Sequence, residues 1–391
     1  MRSGAGGGRD VVTHKARFST TTVGLAELAG WLAAEAVTVV GMEATGVYWK
    51  PVFYALEDRF EVWLCNAHHV KNVPGRKTDM SDAAWLADVV AHGMVRPSFV
   101  PGLAIRELRD LTRYRKRQTD TRSAEVQRLE KVLQDAGIKL TSVASEVLSL
   151  SGRRMIEALI AGERDGAVLA EMAIGRMRNK LPALAEALNG HFGAHHAVTA
   201  RQILDHIDFL DARIAMMSEQ ITARMAPFQG AVDILVEIPG ISRISSEIII
   251  AETGGDMSRF PSPAHLASWA GVAPGNHESA GKRRRVGTNS GNRWLRRTLI
   301  ESARAAARTK ASYFGAQYRQ IARRRGPNKA AVAVAHSLTD VIWHLLSTGE
   351  RFQDLGADYY DRRRDPQRQA RQLVRKLEAL GHTVTLTAAT E

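Results

Sequence analysis

The sequence predicts an α/β N-terminal domain, a long helical coiled-coil arm and a mainly α-helical C-terminal domain. Three observations support this: two short β-branched apolar runs near the N-terminus, two long segments with helical spacing of apolar residues, and a helical, arginine-rich C-terminal region. A chain of 391 residues is expected to form two compact units joined by a connecting element. The predicted domains are 1–101, 102–228 and 229–354, followed by a charged tail over 355–391.

The first 100 residues alternate between β and α patterns. Residues 37–42 (VTVVGM) and 60–65 (FEVWLC) are short, apolar and partly β-branched, which is typical of strands. Residues 48–59 between them can form a helix, and the segment after KTDMSD has helical spacing. This order predicts a parallel or mixed sheet flanked by helices.

Two long segments predict the helical arm. Residues 102–136 carry apolar side chains at helical spacing among many Arg and Lys, and residues 203–225 carry them in steps of three and four. The second spacing is close to a coiled-coil seam. The pair predicts an antiparallel arm or a dimerisation element of a homo-oligomer, and packing against the protein's own core is the alternative.

The C-terminal domain begins with a predicted helical hairpin. Residues 232–254 read as a helix, a tight turn at Pro239 and Gly240, and a second helix. In the helix-hairpin-helix pattern, backbone N–H groups of such a turn accept a DNA phosphate, so Gly240 is a predicted nucleic-acid contact. Ser242 stands where that pattern usually has a second glycine, and a plain helical hairpin is the alternative.

The positive charge is concentrated in one segment. The formal net charge is +13, and residues 282–325 hold fourteen Lys and Arg against one acid. Nucleic acid is therefore the predicted partner class, because a bound polyanion would release condensed counterions; a solvated basic face is the alternative. The predicted contacts are Lys282, Arg283, Arg284, Arg285, Arg293, Arg296 and Arg297.

Composition also argues against other classes of protein. No apolar stretch is expected to approach the roughly 20 residues that cross a bilayer, and MRSGAGGGRD lacks the apolar segment of a secretory signal. The single cysteine, Cys65, excludes an intramolecular disulfide framework. We therefore expect a cytoplasmic protein without a membrane partner.

Three acids lie where metal sites are common. Glu43 follows the first predicted strand, at the carboxyl end where α/β sheets bind ligands. Asp79 and Asp82 are three residues apart at the start of a predicted helix, and clustered carboxylates suit Mg²⁺. The alternative for all three is structural, since acids also cap and stabilise helix N-termini.

Ser279 lies in a loop rich in Gly, Asn and Ser, directly before a run of four cations. A serine on such a loop can attack a phosphodiester while the cations neutralise the developing charge. Spacing alone does not distinguish it from Ser290, and either can be an ordinary loop serine.

Taken together, the segments resemble the transposases of insertion-sequence family 110, whose N-terminal domain is similar to the Holliday-junction resolvase RuvC, an RNase H-like fold. The resemblance covers nearly the whole chain in the family's order. It is carried by GMEATGVYW, NAHHVKNVPGRKTDMSDAAWLA, IPGISRISSEIIIAETGGDMSRF, LASWAGVAPGNHESAGKRRR, GNRWLRR and KAAVAVAHSL.

The resemblance implies an active site of four carboxylates and one serine. Glu43, Asp79 and Asp82 correspond to the second, third and fourth carboxylates, which hold Mg²⁺, and Ser279 corresponds to the nucleophile of DNA strand cleavage and exchange. Ala280 follows this serine where the family usually has glycine. The family's first carboxylate lies on an initial Gly-x-Asp strand that has no counterpart here, so we expect a late start that removes one or two strands.

The resemblance also implies DNA as substrate, assembly as a homo-oligomer and, in some members, a guide RNA, for which the basic helix over 106–131 is the predicted contact. Two other functions stay open from sequence. An endonuclease would use the same carboxylates with water as nucleophile. A nucleic-acid-binding relic without activity is favoured by the missing first carboxylate.

Overall fold

The structure is a computed structural model that describes residues 12–66, 79–95, 97–275, 278–279, 282–283, 287–288, 290–363 and 366–387. The chain forms two compact units, residues 1–102 and 103–391. The finer division of the second unit into an arm, a C-terminal domain and a tail stays a prediction.

The N-terminal unit is a small α/β arrangement. Its elements are α1 (Thr22–Ala34), β1 (Val39–Glu43), α2 (Trp49–Leu56), β2 (Glu61–Cys65) and α3 (Asp79–Ala91). The two strands pair in parallel, with Val39 opposite Glu61 and Glu43 opposite Cys65. Both predicted strands and both predicted helices are therefore confirmed, because the short β-branched runs and the apolar spacing determine these elements locally.

Two small apolar clusters hold this unit together. One contains Leu32, Leu56 and Phe60, and the other contains Cys65 and Val89. Within the described residues the sheet has two strands, so the further strands of an RNase H-like fold, including any that a late start would remove, stay a prediction.

The second unit is almost entirely helical. Its helices are α4 (Leu103–Asp135), α5 (Leu140–Val143), α6 (Leu150–Ala161), α7 (Gly166–Glu171), α8 (Leu181–Ala187), α9 (Ala194–Met225), α10 (Gln229–Val236), α11 (Arg243–Thr253), α12 (Pro263–Ala270), α13 (Arg293–Ala306), α14 (Tyr313–Arg325), α15 (Pro327–Thr348), α16 (Tyr359–Arg362) and α17 (Pro366–Glu378). A short hairpin of β3 (Glu278–Ser279) and β4 (Lys282–Arg283) lies between α12 and α13. Residues 382–387, which are β-prone in sequence, belong to no strand.

The two long helices, α4 and α9, pack against each other in antiparallel orientation. Arg122 of α4 pairs with Asp211 of α9, whereas Asp135, further along α4, pairs with the earlier residue His196. The helical spacing in the sequence therefore predicts both helices correctly. Coiled-coil geometry and a role in dimerisation stay predictions.

Helix α4 belongs to two separate hydrophobic cores. Near its C-terminal end, Leu129 and Leu133 are buried against α9 and the short helices α5–α8. Near its start, Ile105 and Leu108 are buried with α10–α15. Between Leu108 and Leu129, the buried side chains of α4 are the polar or charged Thr112, Arg115 and Glu125.

Helix α15 corrects one expectation from the sequence. It has 22 residues, and an 18-residue window within it has a mean hydropathy of 1.3, which by length and composition alone is enough to cross a membrane. The expectation that no apolar stretch approaches this length is therefore wrong. Its apolar face, which includes Val334, Leu338 and Ile342, is buried in the C-terminal core, and this packing accounts for the composition.

Candidate active site and nucleic-acid interface

The three predicted acids all lie in the N-terminal unit. Glu43 is the last residue of β1 and is half-buried, and Asp79 and Asp82 lie in the first turn of α3. Helix α3 packs directly on β1, because a Cβ at Gly41 would stand 2.5 Å from Cγ2 of Val90. This contact joins the middle of β1 to the C-terminal end of α3, whereas Asp79 and Asp82 lie at the N-terminal end of the same helix.

The chemistry of this donor set fits a divalent cation. Within the described part of the chain, the carboxylates of Glu43 and Asp82 form no ion pair and no side-chain hydrogen bond, so their oxygens are available to bind a cation. Asp82 is exposed. Hard, oxygen-only ligands of this kind suit Mg²⁺, which takes one or two carboxylates together with phosphate oxygens.

Cys65 lies opposite Glu43 in the sheet but is not a candidate ligand. The thiol is fully buried, and burial raises its pKa. A buried, protonated thiol is a poor nucleophile and a poor metal ligand. The Cys65 side chain therefore packs in the small apolar cluster that also contains Val89.

Ser279 lies on a short β-hairpin rather than on an irregular loop. In the backbone register of β3 and β4, Ser279 stands opposite Lys282 and Glu278 stands opposite Arg283. A hydrogen bond from the N–H of Gly275 to the carbonyl of Gly287, at 2.9 Å, closes the stem below. The predicted contacts Arg284 and Arg285 lie outside the described residues.

The segment that carries this hairpin begins and ends at one point, which we call the hairpin root (residues 269–271 and 291–292). The N–H of Asn292 donates to the carbonyl of Trp269 at 2.8 Å. A Cβ at Gly291 would stand 2.4 Å from the backbone nitrogen of Gly271, so this approach requires glycine. Arg296 donates to the Gly271 carbonyl at 2.9 Å, so this predicted nucleic-acid contact braces the root.

A buried carboxylate fixes the hairpin root to the long helix. Asn292 caps α13, since its Oδ1 accepts from the N–H groups of Trp294 and Leu295. Its Nδ2 donates to Oε2 of Glu252 at 2.6 Å. Glu252 is 0% exposed and also accepts two hydrogen bonds from Arg113 of α4, each 2.7 Å long.

Sequence reasoning missed this carboxylate because Arg113 and Glu252 are 139 residues apart. The only local signal is an acid inside the apolar run IIIAET, where an unpaired charge would be costly to bury. A second buried acid of α11, Glu247, forms an ion pair with Arg115 of α4, with 2.8 Å between Oε2 and Nη1 but without a hydrogen bond at that oxygen.

The cations of α13 differ in how far they are neutralised. Arg297 forms two hydrogen bonds with Asp120, at 2.5 and 2.7 Å, and one with Glu301 at 2.9 Å. Arg293 is exposed, has no carboxylate partner in the described structure, and stands 5.2 Å from the centre of the Trp294 ring. Arg293 therefore offers an uncompensated charge, whereas Arg297 does not.

The basic helix α4 is also largely neutralised by the protein's own acids. Ion pairs with carboxylates are made by Arg109, Arg113, Arg115, Lys116, Arg122 and Arg128. The positive composition of residues 106–131 thus has an internal explanation, and the RNA contact predicted there would depend on the remaining cations.

Gly240 occupies a turn that only glycine fits. Its φ is +91°, and a Cβ would stand 2.3 Å from the carbonyl oxygen of Ser302 in α13. Ser242, at the position where a second glycine was expected, caps α11 by accepting from the N–H of Ser245 at 3.2 Å. The helix, turn and helix are as predicted, and the phosphate contact of the turn stays a prediction.

A histidine cluster at the start of α9 also resembles a metal site. Ligand atoms of Asp135, His195 and His196 lie within 4.8 Å of one another. However, Nδ1 of His196 accepts from the N–H of Gly193 and its Nε2 contacts Asp135, both at 3.0 Å. Both ring nitrogens are thus used in capping α9 and in tying it to α4, and a metal would have to break one of these bonds.

Comparison with known proteins agrees with this arrangement. Residues 7–138 match the DEDD domain model of the IS110 family, described as a transposase, and residues 232–319 match a model described as transposase IS116/IS110/IS902 family. A probable family 20 transposase of Pseudomonas aeruginosa is 30% identical over 79% of this chain and 84% of its own length. The transposase for insertion sequence element IS1111A of Coxiella burnetii is 26% identical over 85% and 84%.

These matches define the class of this protein: it is a transposase, an enzyme that acts on DNA. The DEDD type of its N-terminal domain indicates use of a divalent metal. The chain belongs to the IS110 family of insertion-sequence transposases.

Proposed function

We propose that this transposase cleaves and exchanges DNA strands with a divided active site, in which Glu43, Asp79 and Asp82 hold Mg²⁺ and Ser279 is the nucleophile. The observation that carries the proposal is the mounting of Ser279. It stands opposite Lys282 on a hairpin whose root is fixed by the bond between Asn292 and the buried Glu252. A nucleophile needs such a fixed position, since misplacement by about 1 Å can cost about 100-fold in rate.

The reaction transfers one DNA phosphoryl group to Ser279 and then from Ser279 to a second DNA end. Oγ of Ser279 attacks phosphorus, the serine–phosphorus bond forms, and the bond to the leaving DNA oxygen breaks, with the serine proton ending on that oxygen. A hydroxyl of a second DNA end then attacks the phosphoserine, which joins the strands and frees the serine. Lys282 and Arg283 neutralise charge on the phosphate oxygens. Bound Mg²⁺ supplies Lewis-acid polarisation and a template for the phosphodiester.

The decisive experiment compares Ser279→Ala with Ser290→Ala, a matched serine from the same segment. We expect Ser279→Ala to lose both the covalent protein–DNA adduct and strand exchange while binding DNA as the unchanged protein does. Ser290→Ala should keep all three. The measurement is adduct formation on a denaturing gel together with recombination of a labelled DNA substrate.

The outcomes separate the rival functions. Recombination by Ser279→Ala would disprove the serine mechanism. Metal-dependent cleavage without any adduct, in the unchanged protein and in Ser279→Ala alike, would identify an endonuclease that uses water. Binding without cleavage in every form would identify an inactive relic.

A guide RNA and a homo-oligomeric assembly are finer parts of the same proposal, together with a cytoplasmic location beside the DNA. An oligomer would let one copy supply the acidic unit and another the serine unit. Light scattering of the purified protein on DNA measures the assembly. Loss of strand exchange after ribonuclease treatment would support RNA guidance, and unchanged exchange would argue against it.

A further inference from the structure

Three guanidinium groups surround one indole near the hairpin root. Three guanidinium carbons lie over the ring of Trp294: Arg293 at 5.2 Å, Arg117 at 5.6 Å and Arg113 at 5.7 Å. Arg113 is neutralised by Glu252. Arg117 and Arg293 are both exposed, and neither has a carboxylate partner in the described part of the chain.

We propose that Arg117, Trp294 and Arg293 form a clamp for a DNA backbone phosphate, which we call the arginine clamp. This inference rests on the proposed function, because it assigns the surface that receives the DNA next to the serine hairpin. Two like charges within about 11 Å of each other, held by one ring, are unfavourable until an anion joins them. The indole holds both guanidinium groups in place through cation–π contacts.

The occupant is a phosphate and not a base. Bases bind aromatic side chains by stacking on a free ring face, whereas guanidinium groups already lie over this ring. Arg guanidinium groups instead match the oxygens of phosphate. The clamp should therefore bind DNA of any sequence.

The position of the clamp favours the DNA substrate over another polyanion. Trp294 is two residues beyond Asn292, at the hairpin root. Eight residues separate Gly271 from Ser279, which at about 3.3 Å per residue span at most about 27 Å. At about 3.4 Å per step of one strand, this span between the hairpin root and Ser279 corresponds to about eight nucleotides, so the clamped phosphate lies near the cleaved one.

The matched control for Arg293 is Arg297, one turn further along α13. Its side chain is 47% exposed, and Asp120 and Glu301 neutralise it. Removing either arginine changes the net charge by the same amount. A difference between the two variants therefore reports direct contact with phosphate rather than the general field of the protein.

The test measures the affinity of the full chain for a DNA duplex against salt concentration. Arg117→Gln and Arg293→Gln should each reduce the slope of log K against log salt by about 1, equally on two duplexes of unrelated sequence. Arg297→Gln should leave the slope unchanged. Trp294→Leu should weaken DNA binding as the arginine variants do. Trp294→Phe, which keeps an aromatic face, should retain most of the affinity of the unchanged protein.

Neutral methylphosphonate linkages locate the contact. One substitution within about eight nucleotides of the cleavage site should weaken binding by the unchanged protein and have no effect on Arg117→Gln. Equal slopes for Arg293→Gln and Arg297→Gln would overturn the clamp. The clamp would also be overturned if the clamp variants lost affinity for an RNA hairpin of matched length but kept their affinity for DNA.

The clamp and the serine mechanism fail separately. Unchanged DNA binding in the clamp variants, with Ser279→Ala inactive, would remove the clamp and keep the proposed function. Recombination by Ser279→Ala, with weakened binding in the clamp variants, would do the reverse.

Discussion

Replacing Glu252 by Gln tests whether the buried carboxylate holds the second unit together. The side chain is 0% exposed and accepts two hydrogen bonds from Arg113 and one from Asn292. Glutamine has the same size, but it lacks the charge, and its amide N–H₂ would face donors where an acceptor is needed. Removing one partner of a buried ion pair costs about 3–5 kcal/mol.

The expected loss lies at the lower end of that range. Arg113 remains 31% exposed, so water can solvate part of the charge that Glu252 leaves behind. A loss of about 3 kcal/mol lowers the melting temperature of a unit of this size by about 5 °C. The assay is thermal unfolding followed by tryptophan fluorescence, in which Trp294 lies close to the change.

Glu301→Gln is the matched control. Glu301 also contacts two cations, Lys116 and Arg297, but it is 47% exposed. Exposed ion pairs contribute about 0.2–1 kcal/mol, so this variant should lower the melting temperature by no more than about 2 °C. Equal shifts for Glu252→Gln and Glu301→Gln would refute the reasoning, because burial would then contribute nothing.

Three further predictions follow from other parts of the chain. Gly240→Ala should lower the free energy of unfolding by at least about 1–2 kcal/mol, because its φ is positive and the added Cβ would clash with α13. Gly230→Ala is the control, because a Cβ at Gly230 meets open space and should not destabilise the protein. A urea titration of both variants measures the difference. The double variant Glu43→Gln, Asp82→Asn should lack DNA cleavage even with added Mg²⁺, and chelator should stop cleavage by the unchanged protein; cleavage in excess chelator would contradict the acidic site. Cys65, whose thiol pKa is raised by burial, should react with a disulfide reagent only after unfolding, and fast reaction of the native protein would contradict its packing.

Local patterns in the sequence are enough to predict the individual elements. The strands follow from short apolar β-branched runs, and the long helices follow from apolar spacing. The cap at Asn292 follows from residue type, since its side chain satisfies N–H groups at the start of the next helix. These features depend on neighbours within a few residues, so a single sequence contains them.

Pairings between distant residues are not predictable in this way. The arginines of α4 suggest a surface that binds a polyanion, yet Arg113 and Arg115 meet the buried acids Glu252 and Glu247 of α11. Composition cannot distinguish an arginine that is available to bind phosphate from one that is paired with a carboxylate of the same protein. The candidate site has the same limit, because Ser279 is distinguished from Ser290 by family resemblance and not by spacing.

The single helix shared by two hydrophobic cores has a consequence for folding. Leu103–Asp135 is about 50 Å long at 1.5 Å per residue, and its ends are buried in different cores. Most of the stability of a protein helix comes from tertiary packing of its apolar residues, and those of this helix are buried near its two ends. Melting of either core therefore weakens the other, so the second unit should unfold cooperatively although its two apolar centres are connected mainly by polar contacts.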